Sequence, residues 1–171
     1  MLRKDLSPSD YASYYEQYIS LVAGENAMEA QEKQIADFRE VFDAVSESES
    51  EKLHDPYTWT LKQVVDHLIN NEKVFGYRAL RFSVGDETPL IGYDQDVFAA
   101  NANLHGCSLR DLTDELEHTR RCNLLMFKRF TPEAWERAGT ADGKSISVRA
   151  IAFLQAGHLE HHMRIVKDRL A

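Results

Sequence analysis

The sequence predicts an all-α protein, a four-helix bundle with a short N-terminal helix and a long loop between the second and third bundle helices. Three observations predict it. Four long segments repeat apolar residues at helical spacing. The last three of these segments open on recognisable helix-start signals. No segment shows the two-residue alternation of a convincing strand.

Taken in order, Tyr11, Tyr14, Tyr15 and Tyr18 recur at helical spacing, so Asp10 to Val22 reads as a short helix whose tyrosines pack on the core. The first bundle helix runs from Ala27 to Ser46, with Ile35, Phe38, Val41, Phe42 and Val45 on one face. Glu47 to Glu51, acidic and serine-rich, reads as a solvated turn. The second bundle helix opens at Thr60-Leu61-Lys62-Gln63, a capping-box pattern, and continues through Val64, Val65, Leu68, Phe75 and Leu80. Gly85 is placed to end it as the left-handed residue after the cap. Gly85 to Asn103 follows as the one long connection, a length that crosses the bundle or covers something functional. The third helix opens at Ser108 with Asp111 in its first turn and passes Leu112, Leu116, Cys122, Leu125 and Met126 to Phe130. Thr131-Pro132-Glu133 starts a short extra helix, proline at its first position behind a threonine cap. The fourth helix runs from near Ser147 to Leu170.

At 171 residues the chain is expected to form one domain, 1–171, able to bury about two-thirds of its unfolded surface. A net charge of −8 argues against nucleic acid as a partner and against anionic membranes, both of which need a basic face. No stretch approaches the ~20 apolar residues of a membrane span. The N-terminal Met-Leu-Arg-Lys-Asp-Leu-Ser-Pro lacks the apolar core of a signal peptide, so a cytoplasmic location is expected. Cys107 and Cys122 would be separated by about 22 Å along a helix, too far for a disulfide. Both are expected reduced, with Cys122 a small buried apolar residue.

The chemistry concentrates in Gly157-His158-Leu159-Glu160-His161-His162. His158 and His162 lie four residues apart and stack on one helical face, a spacing that can chelate a divalent metal. With His158 at zero on a helical wheel, the apolar side chains from Val148 to Leu170 centre near about 50°, so His158 and His162, at about 40°, point inward. His161 falls at about −60°, at the edge, and is expected to point out, while Phe153 falls outside the stripe. A third ligand is available in His67 of the second helix, and three histidines with part of the coordination sphere open make a catalytic rather than a structural arrangement. The competing reading makes each a core histidine bonded to a backbone carbonyl or an acid. His54, His105 and His118 are expected in solvent. Asp66, Glu72 and Glu160 are candidate partners that fix imidazole tautomers.

The chain resembles the DinB-like (YfiT-like) metalloenzyme family. The resemblance is carried by Trp59 to Leu68, by Glu72 to Phe82 with Gly85 to Leu90, by Gly139-Thr140-Ala141 with Ser147 to Ala150, and by Gly157 to His162. It implies a four-helix bundle and a metal held by one histidine of the second helix and two of the fourth, here His67, His158 and His162. It also implies a homodimer, and relatives that include bacillithiol- and mycothiol-dependent transferases, a mycothiol-dependent isomerase and metal-dependent hydrolases.

Three neutral imidazoles leave the full charge of a divalent ion in place, able to hold a thiol as thiolate or to acidify water. The first expectation is therefore a metal-dependent transferase that activates a low-molecular-weight thiol for conjugation to an electrophilic small-molecule substrate. Tyr93 and Phe98 of the long loop could wall the substrate pocket. Hydrolysis would need a carboxylate base, and none is compelling. A non-catalytic metal-binding or stress-response protein would favour a fourth ligand, for instance His161. Imidazole suits zinc, nickel, iron and copper, with zinc or nickel the first expectation.

Overall fold

A computed structural model describes residues 2–171. Its helices are α1 (Glu16–Ile19), α2 (Ala27–Asp43), α3 (Glu47–Ser50), α4 (Leu61–Ser83), α5 (Gln95–Asn101), α6 (Leu109–Phe127), α7 (Pro132–Glu136) and α8 (Val148–Leu170). Strands β1 (Ala138–Ala141) and β2 (Lys144–Ser147) precede α8. The bundle is α2, α4, α6 and α8. Both α2 and α4 pack on α6 and α8, so these two consecutive long helices sit diagonally opposite each other.

The start signals act as read. Thr60 Oγ1 accepts from the Gln63 backbone N–H at 3.2 Å and Gln63 Oε1 accepts from that of Thr60 at 2.9 Å. Ser108 and Asp111 exchange the same pair of bonds at 3.0 Å. Asn26 supplies a cap for α2, through Oδ1 accepting from the Met28 N–H. Gly85 ends α4 at φ +83°, with its N–H on the Phe82 carbonyl and that of Asp86 on the Arg81 carbonyl, the paired bonds of a Schellman ending.

Several expectations are corrected. A strand pair exists: Ala138 faces Ser147 and Ala141 faces Lys144, around Asp142 and Gly143, both at positive φ (52° and 68°). The Asp-Gly dipeptide was the available signal, because that turn needs two left-handed residues. Gly85 to Asn103 is not a bare loop, since Asp94 caps α5 within it by accepting from the Asp96 and Val97 N–H groups. Asp10 to Val22 is not one helix, because Tyr11 is extended where it bridges Ile146 of β2; 3₁₀ turns at Pro8–Asp10 and Ser13–Tyr15 lead into the single turn of α1. Glu47 to Glu51 carries the turn α3, whose Glu47 joins Glu51 in pairing with the buried Lys62.

Cys122 is exposed, as is Leu125, because the buried stripe of α6 runs Leu112, Leu116, Arg120, Asn123, Leu124, Phe127. Arg120 takes a place on the buried stripe, and Cys122 falls outside it. Phe153 is fully buried, since α8 is enclosed on every side from Ala150 to Leu159. His54 is half-buried against Glu49 and Arg169, whereas His105 and His118 are exposed as expected.

The apolar core forms two clusters. One gathers Phe75, Ala79, Phe82, Phe127 and the first half of α8, and the other gathers Phe38, Leu61, Leu68, Leu116 and the second half of α8. Between them lies a polar layer with one side chain from each bundle helix: Gln34, Glu72, Arg120 and Gln155. The hairpin sits at one end of the bundle and holds two segments, since Leu90 bridges Ala141 and Tyr11 bridges Ile146. It thereby fixes the tyrosine segment and the α4–α5 loop over the same end of the core.

Gly157 is where that tyrosine segment meets α8, because a Cβ there would overlap the Tyr18 carbonyl. Neither backbone can yield easily. Gly157→Ala is expected to cost on the order of 1–3 kcal/mol, the range of an overpacked contact. A urea denaturation midpoint equal to that of the native sequence would refute the close approach.

Candidate metal centre

Helix α4 carries His67, Asn71, Phe75 and Arg78 at four-, four- and three-residue steps, one continuous stripe of a helix face. Across from it α8 presents His158 and His162. Where the faces meet, the His67 and His158 Nε2 atoms stand 3.2 Å apart. Each of His67, His158 and His162 offers a ring nitrogen, and these three atoms lie within 4.8 Å of one another. The ring centroids are separated by 5.1, 4.8 and 4.6 Å.

The separation suits a metal. Two nitrogens each about 2.0–2.1 Å from a tetrahedral ion are about 3.3 Å apart, close to the observed Nε2 pair. The donor set fits too, because imidazole binds metal only when neutral. Burial pushes His67 down to about 4 and His162 to about 3, and holds His158 well below the ordinary histidine value. The neighbouring imidazoles, and for His158 the Arg120 guanidinium, add to the effect of burial. The cluster is thus able to coordinate a divalent cation.

His161 stands apart, half-buried with its ring 5.4 Å from that of Tyr18 and outside the ligand cluster. It is neither inward nor fully in solvent.

The acids named as tautomer-fixing partners are engaged elsewhere. Asp66 accepts from Asn70, Glu72 from Arg120 and Glu160 from Arg164. Asn71, rather than an acid, lies against His67: its amide nitrogen is 3.0 Å from Nε2 and 3.2 Å from Nδ1 of His67, and it donates to the His67 carbonyl at 3.0 Å. Equal reach to both ring nitrogens places the amide against the ring face rather than in line with one lone pair. Trp59 covers another side, its ring 5.0 Å from His67. Asn71 was legible in the sequence only as a residue four positions after His67.

His158 opens onto a cavity of about 230 Å³ lined with Tyr14, Tyr15, Tyr18, Phe75, Arg78 and Tyr93 among others. The tyrosine segment expected to be plain packing therefore walls a pocket, although Tyr15 is also buried in the core. Tyr93 lines the cavity as anticipated. Phe98 does not; its ring packs at a tilt on that of Tyr93, centroids 4.8 Å apart. Burial raises both Tyr18 and Tyr93 to about 12, so at neutral pH their hydroxyls are protonated donors.

The DinB superfamily pattern matches residues 30–166, most of the chain. This chain belongs to the DinB superfamily. Among solved structures it is similar to YfiT from Bacillus subtilis, a probable metal-dependent hydrolase with an unusual four-helix bundle topology. That match has 16% identity and a TM-score of 0.73, and covers 98% of this chain and 90% of YfiT. It is also similar to the mycothiol-dependent maleylpyruvate isomerase and to a histidine-to-alanine variant of it. Both are 14% identical, with TM-scores of 0.67 and 0.69, and in each case 85% of this chain aligns with only 60% of the enzyme. No curated protein matches the sequence. At these identities the likeness is one of fold, and the diagonal placement of α2 and α4 is the bundle of this DinB protein.

The depressed histidines give the DinB bundle an acid sensitivity with a definite sign. Unfolded, each imidazole takes up a proton near the ordinary histidine value of 6.5, whereas folded it does so only near 4 or below. The unfolded state then binds more protons, so stability falls as pH drops below about 6.5 and keeps falling to about 4. The urea midpoint of metal-free protein is expected lower at pH 5 than at pH 7.5. The same midpoint in His67→Ala/His162→Ala should lose less over that interval, and equal losses would show that other groups set the slope.

Proposed function

We propose that His67, His158 and His162 hold one divalent metal ion, zinc or nickel first. On this reading the protein is a metal-dependent transferase that conjugates a low-molecular-weight thiol to an electrophilic small molecule. The observation that carries it is a three-histidine cluster that reaches, through His158, a cavity with no free carboxylate in its lining: Asp142, the one acid there, is turned to Lys144 at 2.8 Å. Bound there, the ion would supply Lewis acidity, keeping a coordinated thiol as thiolate at neutral pH.

The chain's own groups do the rest. His67, His158 and His162 contribute no charge, so the charge of the ion is left for the thiol. Tyr18 and Tyr93, protonated at neutral pH, can donate to negative charge that develops on the electrophile. Phe75, Tyr15 and Leu154 exclude water from that side. Hydrolysis, the activity ascribed to YfiT, would need a base that Asp142 does not offer while it pairs with Lys144. A purely structural metal would call for a fourth protein ligand, and His161 lies outside the cluster.

The same reading takes residues 1–171 as one domain working as a cytoplasmic homodimer, on composition and family resemblance. No helix among the described residues is long and apolar enough to cross a membrane.

The test is elemental analysis of purified protein, followed by conjugation of 2-mercaptoethanol to 1-chloro-2,4-dinitrobenzene with and without metal. A rate that depends on the metal and disappears in His67→Ala supports thiol transfer. Metal-dependent cleavage of a p-nitrophenyl ester without conjugation would replace it with hydrolysis. Bound metal with neither activity would leave a metal-binding bundle.

A further inference from the structure

We propose that the cavity beside the three histidines binds a small carboxylate, with the Arg78 guanidinium as its anchor. The side chain of Arg78 is 7% exposed and lines the cavity, yet among the described residues it has no ion pair and no hydrogen bond. The other deeply buried cations do have counter-ions: Arg120 pairs with Glu72, and Lys62 with Glu47 and Glu51. The Arg78 nitrogens are not among the sealed, unpaired polar atoms of the core, so they open to the cavity, where an anion would complete a largely buried cation.

The surroundings leave that place open. The Phe75 ring packs on Arg78, 5.7 Å from the guanidinium carbon, and the same ring lies 5.9 Å from that of His158. Arg78 therefore faces the histidine cluster across a single aromatic side chain. Its charge is felt by Tyr15, Tyr93 and Asp142, the three walls around it. Asp142, the one acid in the wall, is held by Lys144 at 2.8 Å, and Lys144 does not line the cavity. One planar guanidinium with no companion suits a single carboxylate, taken on two parallel N–H donors, better than a doubly charged phosphate.

This inference rests on the metal reading only for where the reacting atoms lie. Anion binding at Arg78 does not require the metal, and the experiment uses that independence. The Arg78 Nε–H resonance, assigned by its loss in Arg78→Lys, is followed while metal-free protein is titrated with hexanoate or hexanamide. Hexanoate is expected to give a saturable shift and to bind at least about tenfold more tightly than the neutral amide. Calorimetry should show that advantage lost in Arg78→Met and partly kept in Arg78→Lys, with helical circular dichroism unchanged.

A zinc-loaded sample, its zinc content verified, tells the source of the anion. Tighter binding of 6-mercaptohexanoate than of hexanoate places the carboxylate on the thiol itself. Equal affinities place it on the second substrate. No saturable shift with hexanoate, or an equal shift with hexanamide, overturns the carboxylate subsite whether or not zinc binds. Absence of zinc with a normal hexanoate shift overturns only the metal reading.

Discussion

His158→Ala is expected to reduce the metal content of the purified protein from about one equivalent to below about a tenth, and His162→Ala to do the same. The reason is geometric. His158 shares the 3.2 Å nitrogen pair with His67 and stacks on His162, so it touches both other members of the cluster. Two remaining imidazoles leave an ion held by half a tetrahedron, with nothing else in reach among the described residues that could replace the third. The bundle should survive, because α8 is enclosed by aliphatic and aromatic neighbours along two turns on either side of the site. His161→Ala provides the contrast. Its ring packs on Tyr18 outside the cluster, and metal content should stay near one equivalent. Elemental analysis with far-ultraviolet circular dichroism on the same samples reads both properties. Equal metal in native protein and His158→Ala would remove the triad, and loss of metal in His161→Ala would make that residue a fourth ligand.

The parts of the fold that the sequence predicted are those written in local chemistry. Thr60 with Gln63, Ser108 with Asp111 and Thr131 before Pro132 each mark a helix start by a hydrogen bond within one turn. The histidine pair of α8 was legible for the same reason, since four residues on a helix is a spatial statement. What escaped was decided by distant partners. Cys122, expected buried, lies exposed, while Arg120 lies in the core, because Glu72 and Gln34, from other helices, make a buried arginine tolerable. Asp142-Gly143 was a short-range signal passed over, because the strands it joins are four residues each and flanked by helices. The role of Asn71 depends on its lying over His67, and the open state of Arg78 depends on Asp142 being held by Lys144. Neither is visible in a pattern along the chain.

Glu72→Ala is the substitution expected to cost the fold most, on the order of 3–5 kcal/mol, because it leaves an uncompensated charge in the core. Arg120 is 0% exposed, and Glu72 Oε1 accepts from its Nη2 at 2.6 Å. The other carboxylate oxygen accepts from Asn123 at 3.1 Å and Gln155 at 3.2 Å. Arg120 Nε already lacks a partner, and the unpaired Gln155 Oε1 is a neutral amide oxygen, so the layer has no second anion to offer once Glu72 is gone. Gln34 Oε1, at 3.0 Å, would be left as the main acceptor for a full cation. The consequence extends to the metal centre. Arg120 already acts on His158 electrostatically, and without Glu72 its positive charge would oppose a divalent cation in the adjacent cluster. Glu72→Ala should therefore show both a lower urea midpoint and a weaker metal affinity. Replacing the pair together, Glu72→Leu with Arg120→Met, separates charge from shape. Removing both charges should restore much of the lost stability, as apolar replacements of buried pairs do. A double variant no more stable than Glu72→Ala would show that the layer matters for its fit between four helices rather than for its charge balance. A single variant as stable as the native protein would mean that water reaches Arg120.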